Sequence, residues 1–159
     1  MQIREGEQVL KIFYPHYTPF VFYMLKVLLG ILPLFLFLYF LSFFISTKWY
    51  VIGNLLLVLL FIIVVLYKSL VYWLDRLVIT NQRIVHVEWR NLAVRDEAEI
   101  RLQDIQDILT QEKGLLSYFK IFDYGTIRMD TASAYVALQF KNAPDPEGIR
   151  RFIYHVRNQ

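Results

Sequence analysis

Two long apolar runs dominate the first half of the chain. Residues 27–45 read VLLGILPLFLFLYFLSFFI, and extended back to Pro19 they make a stretch of 27 residues broken only by Lys26. Residues 51–67 read VIGNLLLVLLFIIVVLY and continue to Leu74 with Lys68 as the only charge. A helix rises about 1.5 Å per residue, so roughly 20 residues cross a ~30 Å hydrocarbon core, and both runs are long enough. Only Ser46 to Trp49 separate them, too few to return through a bilayer. The pattern predicts a membrane helical hairpin over 19–74. A cleaved signal would have an apolar region of about 7–15 residues ending at a small-residue site, unlike these runs. Burial inside a large soluble protein is disfavoured too, since only 85 residues follow Leu74.

After Leu74 the period shortens. Leu77-Val78-Ile79-Thr80 is a β-branched run ending in a turn at Asn81-Gln82. Residues 83–90 alternate, with Val85, Val87 and Trp89 on one face and Ile84, His86 and Glu88 on the other. A turn at Asn91-Leu92 leads to a strand over 94–100, and the Ile and Thr content of 105–112 favours another strand. Residues 115–122 form an irregular or short helical apolar patch. Two clearer strands follow. Residues 125–131 set Ile127 and Met129 against Arg128 and Asp130, and residues 135–140 set Val136, Leu138 and Phe140 against Tyr135, Ala137 and Gln139.

A helix closes the chain. Asp145 supplies the N-cap, Pro146 suits the first helical position, and Glu147 favours the dipole. Ile149, Phe152, Ile153 and Val156 then make one apolar stripe that needs a sheet to cover. Six or seven strands closed by one helix predict an α+β domain: a strongly bent antiparallel sheet or partial barrel with a C-terminal helical cap. The expected organisation is an N-terminal segment over 1–18, the hairpin over 19–74 and the folded domain over 75–159.

Charge adds an orientation. The net charge is +3, but residues 75–159 carry 12 Lys/Arg and 12 Asp/Glu, so the excess lies beside the apolar runs. Arg4, Lys11, Lys26, Lys68 and Arg76 flank the ends of the hairpin and Lys48 alone lies in its turn. Positive charge stays cytoplasmic, so both termini are expected in the cytoplasm of a cell-membrane protein. Tyr17, Tyr23, Trp49, Tyr50, Tyr67, Tyr72 and Trp73 fall where an aromatic belt would. The neutral domain lacks the clustered basic face of a nucleic-acid binder, so no nucleic acid is expected as a partner.

Candidate chemistry is thin. The chain has no cysteine, and His16, His86 and His155 show no metal-ligand spacing, so they read as ordinary surface or interface histidines and no metal is expected. Asp104 and Asp107 sit three apart beside Arg101 and read as a solvated turn rather than an acid–base pair. No phosphate-cradling glycine loop or nucleophile elbow is present, so neither a cofactor, a small-molecule substrate nor catalysis is expected. Candidate membrane or partner contacts are Leu115, Leu116 and Phe119, apolar residues beside the membrane, and Arg83 at the first turn, whose plainer role is pairing with a nearby carboxylate.

Leu77–Ile84, residues 100–108 and Tyr124–Met129 together resemble the bacterial pleckstrin-homology (PH) domain membrane proteins, a mostly uncharacterised family with a two-span hairpin. Leu77-Val78-Ile79-Thr80-Asn81-Gln82-Arg83-Ile84 is similar to the family's (I/L)-T-x-x-R-(I/L) opening. Residues 100–108 resemble its I-x-L-x-x-I-x-D-(V/I) stretch, and Tyr124-Gly125-Thr126-Ile127-Arg128-Met129 its (Y/F)-G-x-(I/V)-x-(I/M) strand. Gly6-Glu7 and His16 resemble features upstream of the family's hairpin, although Pro15 stands where a basic residue commonly precedes the histidine. The resemblance implies a PH-like fold and a non-enzymatic interaction or assembly module, with the bilayer and a protein partner or second copy as partners. The alternative is an auxiliary subunit of a transport or secretion system. Phosphoinositide recognition is not implied, because no basic cluster adjoins the Asn81-Gln82 turn in the sequence.

Overall fold

The computed structural model describes residues 4–112, 124–131 and 138–158. The chain divides into two units, one of residues 19–70 and one combining Met1–Thr18 with Val71–Gln159.

The first unit is helical. Helix α1 spans Tyr17–Leu41, with Pro33 inside it, and α2 spans Thr47–Leu74. The connection comes earlier than the sequence suggests. The Ser42 hydroxyl donates to the Tyr39 carbonyl (2.6 Å), and the Phe44 and Ile45 amides fold back on the Leu41 carbonyl, so α1 ends inside the apolar run. The helices run side by side. Leu38 lies against Gly53, where a Cβ would come within 3.4 Å of the leucine methyls, and the Lys68 ammonium lies 5.7 Å from the Tyr23 ring centre. Both helices are long and apolar enough to cross a membrane, and no residue of α2 is buried.

The second unit contains seven strands among the described residues. A four-stranded antiparallel sheet has the order β1-β2-β3-β4, built from Val9–Phe13, Arg76–Thr80, Arg83–Asn91 and Val94–Arg101. A three-stranded antiparallel sheet follows in the order β5-β6-β7, from Ile105–Glu112, Tyr124–Thr131 and Leu138–Pro144. The 3₁₀ turn Leu102–Asp104 links the sheets, and helix α3 spans Pro146–Arg157. Turn chemistry explains the hairpins. The Asn91 side-chain oxygen accepts from the Ala93 and Val94 amides at 2.9 and 2.8 Å, and Thr80 Oγ1 accepts from the Gln82 and Arg83 amides at 3.2 and 3.0 Å.

One core joins the sheets and α3. Leu77, Ile79, Ile84, Ile100, Ile127, Met129, Leu138 and Phe140 meet Ile149 and Ile153 there, with Phe152 and Val156 half-buried at its margin. The expected alternation of β6 and the helical stripe are present. Asp145 accepts from the Gly148 amide at 2.8 Å, and Pro146 opens the helix as anticipated. Gly125 is fixed by crowding: a Cβ there would meet the Gln111 carbonyl oxygen at 2.4 Å and the Pro146 ring at 2.8 Å. The last strand includes the expected Leu138–Phe140 and runs on to Pro144; Tyr135, Val136 and Ala137 lie outside the described residues.

The N-terminal segment contributes a strand: β1 pairs antiparallel with β2, Phe13 opposite Leu77 and Ile12 opposite Val78. Completing β2's exposed edge satisfies backbone groups that would otherwise be unpaired.

Candidate functional site

The most elaborate side-chain assembly lies where the N-terminal segment meets the β2–β3 turn. Gly6 takes a left-handed backbone (φ +74°), suited to glycine, and so closes a turn in which the Glu7 amide donates to the Arg4 carbonyl (3.0 Å). That turn directs Glu7 inward. Its carboxylate receives Arg83 Nε at 2.8 Å and Nη2 at 2.9 Å, a two-pronged pairing, and the Arg4 amide adds a bond of 2.8 Å. Arg83 Nη1 also donates to Glu99, whose other oxygen accepts from Arg4 Nη2 at 2.8 Å.

Glu7 and Arg83 are both buried. The Arg83 guanidinium outweighs the cost of burial and holds the Glu7 carboxyl down to about 2. Glu7 in turn raises Arg83 above its ordinary value. The turn is secured from the backbone as well. Asn81 Oδ1 accepts from the Gln8 amide (2.9 Å), its Nδ2 donates to the Gly6 carbonyl (3.1 Å), and its amide donates to the Gln8 carbonyl (3.1 Å). Thr-Asn-Gln-Arg and Gly-Glu, 73 residues apart between Glu7 and Thr80, are thus two halves of one latch.

A second junction lies beyond β1. The His16 amide donates to the Asn142 carbonyl at 2.7 Å, where Asn142 has a left-handed backbone (φ 56°). The Tyr72 hydroxyl donates to the His16 carbonyl, and the His16 ring stacks between Tyr17 (4.4 Å) and Tyr124 (5.9 Å). Within the sheet unit His16 thereby ties Tyr17, Tyr72, Tyr124 and Asn142 together through contacts that need no basic neighbour at Pro15.

Of the candidate contacts read from the sequence, Leu115, Leu116 and Phe119 lie outside the described residues. Arg83 is turned inward on Glu7 and Glu99, as its plainer reading anticipated, rather than presented as a contact surface. Asp104 and Asp107 are exposed, and Asp107 accepts from the adjacent Ile108 amide. His86 corrects the expectation of a surface histidine. It is buried, 3.0 Å from an Asp75 oxygen and edge-on to Phe140 at 5.2 Å, because β3 is covered on both faces from Arg83 to Val87. Among the described residues no group of three or more His, Asp or Glu side chains is placed to hold a metal. Glu7 was visible only as half of a short motif, and the charge alternation of β4 gave no sign that Glu99 faces Arg83.

The family profile described as Bacterial PH domain matches residues 20–157. The chain belongs to that family. The match covers residues of both the apolar helices and the sheets, while the Gly6-Glu7 half of the latch lies ahead of it. Two solved structures are similar to it. One is a DUF1696 family protein with a pleckstrin-homology domain from Shewanella loihica PV-4, 14% identical, with a TM-score of 0.41 over 52% of this chain and 70% of that one. The other is a pleckstrin homology domain from Shewanella amazonensis SB2B, 14% identical, with a TM-score of 0.40 over 52% of this chain and 66% of that one. No curated protein matches the chain.

Proposed function

We propose that this bacterial PH-domain protein is a membrane-anchored, non-catalytic interaction or assembly module. The hairpin sits in the cell membrane, and the PH-like domain and both termini lie on the cytoplasmic side. The observation that carries the reading is the outward display of apolar side chains on two long helices. Phe37, Phe40, Leu55, Leu56, Leu59 and Ile63 are all more than half exposed on uncharged stretches, which is unfavourable in water and natural in lipid.

The orientation draws support from two independent features. β1 enters α1 and β2 leaves α2, and these strands pair with each other, so both ends of a membrane-crossing hairpin emerge on one side. Arg4, Lys11, Lys26, Lys68 and Arg76 cluster towards those ends against Lys48 in the turn. Absence of catalysis is proposed because Glu7, Arg83, Glu99 and His16 all serve structural contacts. The test is a pair of reporter fusions after Gln159, one active only outside the cytoplasm and one only inside. The inside reporter should be active and the outside reporter silent; the opposite result refutes the topology. Membrane fractionation under alkaline carbonate should leave the protein in the pellet, and release into the supernatant refutes the anchor.

A further inference from the structure

The latch borders a concave site that no local sequence pattern marks. A cleft of about 530 Å³ takes its polar lining from Arg4, Asn81 and Gln82 of the N-terminal segment and first turn, Arg101 at the end of β4, Gln103 of the 3₁₀ turn and Arg157 at the end of α3, beside the apolar Leu102 and Val156. Its size falls in the roughly 300–1,000 Å³ range of small-molecule sites. No carboxylate side chain is among its lining residues.

The charges there are unbalanced. Arg83 and Arg101 occupy directly opposed positions of β3 and β4, an unfavourable like-charge pairing. Glu7 and Glu99 neutralise Arg83 and Arg4. Arg101 has no ion pair or side-chain hydrogen bond among the described residues, and Arg157 donates one of its bonds to a neutral acceptor, the Ile105 carbonyl, at 3.0 Å. Two cations are therefore left over, on different elements that face one cavity.

We infer that this cleft binds a small dianion bearing a phosphate monoester, with Arg101 and Arg157 on the phosphate and Gln82 and Gln103 on adjoining hydroxyls. A tetrahedral phosphate offers acceptors to guanidinium forks arriving from separate directions, whereas a planar carboxylate is matched by one fork. Such a group occurs on soluble phosphorylated polyols and on phosphatidate headgroups. The site shares no residue with the buried Glu7–Arg83 pair, and binding there does not depend on which side of a membrane the domain occupies.

The full chain, solubilised in a nonionic detergent, would be titrated calorimetrically with glycerol 3-phosphate, with glycerol as the neutral control. Saturable one-to-one binding that weakens with salt is expected for the phosphate and none for glycerol. Arg101→Gln and Arg157→Gln should each weaken binding about tenfold, the effect of losing one charge-assisted contact, while Arg101→Lys should retain part of the affinity. Arg101 is exposed at a strand end, and unchanged thermal unfolding of the variants would establish that the fold is intact. Displacement of glycerol 3-phosphate by short-chain phosphatidic acid would assign the site to a lipid headgroup, and failure to displace it would assign the site to a soluble ligand. Absence of saturable binding, or affinity in both glutamine variants unchanged from that of the parent chain, overturns the inference.

Discussion

The two units of the chain place the same kinds of residue in opposite surroundings. In the sheet unit, Leu77, Ile79, Phe140 and Ile153 are fully buried and the charges lie mostly outside. In the helical unit, Phe40 and Leu55 are 65% and 67% exposed, and the longest helix buries nothing. One unit brings its apolar surface together, as a domain in water does; the other displays it, as the proposed membrane anchor requires. The contrast also fixes where polar interactions count. A bilayer offers no partner for a stray charge, whereas the sheet unit can bury one charge because it supplies the opposite one, as Glu7 does for Arg83.

The largest predicted effect is on that pair. Arg83→Ala leaves Glu7 buried without its cation, and breaking a buried pair costs roughly 3–5 kcal/mol, a large share of the ~5–15 kcal/mol that holds a domain together. Chemical unfolding of the detergent-solubilised chain should show the loss, and a change below about 1 kcal/mol would mean that the latch is ornamental. The same latch predicts acid sensitivity. Because the folded Glu7 carboxyl lies at about 2, below its ordinary 4.5, its contribution is fully present above 4.5 and is lost as pH falls through about 2. Stability of Glu7→Gln should be lower at neutral pH and should fall less steeply across that window than stability of the parent chain.

Core truncation comes next. Ile153→Ala removes a fully buried side chain where α3 meets the sheets and should cost roughly 2–5 kcal/mol, with faster proteolysis of the sheet unit. Phe152, on the same stripe, is half-buried, so Phe152→Ala should cost less than Ile153→Ala; the reverse order would relocate the centre of the core. A fragment of residues 75–159 is a poor host for either measurement. It lacks β1 and Glu7, and it should be less stable than one in which residues 4–16 are joined to residues 71–159.

The sequence disclosed these features unevenly, for physical reasons. The helical pair was legible because length and unbroken apolarity suffice, and α3 because its cap and its stripe lie within 12 residues. β2 through β6 carried turn residues and alternation close at hand. β1 did not. Val9-Leu10-Lys11-Ile12-Phe13 is a plausible strand between Gly6 and Pro15, but its partner is β2, on the far side of the whole helical hairpin. Alternation could not place His86 either, since β3 is buried on both faces and the two periods look alike. The latch was half legible: Arg83 was expected to find a carboxylate, yet nothing local indicated that Glu7 would supply it. The basic cleft was invisible because Arg4, Arg101 and Arg157 are far apart in sequence, so the turn looked bare.

Within the helical unit the prediction is polarity-dependent. Leu59→Arg puts a charge near the middle of α2, where insertion scales assign about 2.5–3.5 kcal/mol against the bilayer. Membrane recovery after alkaline carbonate should fall. Normal recovery would count against the insertion of α2, because a helix lying on a surface could turn the arginine outward.

The smallest expected effect is the most discriminating. Leu59 is 53% exposed on α2, and Leu59→Ala removes no core contact and introduces no charge. In water-facing terms the side chain is misplaced; in lipid it only exchanges contacts with acyl chains, which are as apolar as leucine. Truncation should therefore alter stability in detergent by less than about 0.5 kcal/mol, as for substitutions away from packed contacts. Leu138→Ala in β7, the same chemical change at a fully buried position, should cost roughly 2–5 kcal/mol. A near-zero value for Leu59 beside a large one for Leu138 would uphold the contrast between the two units. A loss of 2 kcal/mol or more at Leu59 would mean that this face of α2 packs against protein. A concentration-dependent loss would identify that protein as a second copy of the chain. In native membranes, a loss absent from purified protein would identify it as a separate partner that purification removes. Either result would turn the exposed face of α2 from an anchor into the assembly surface itself.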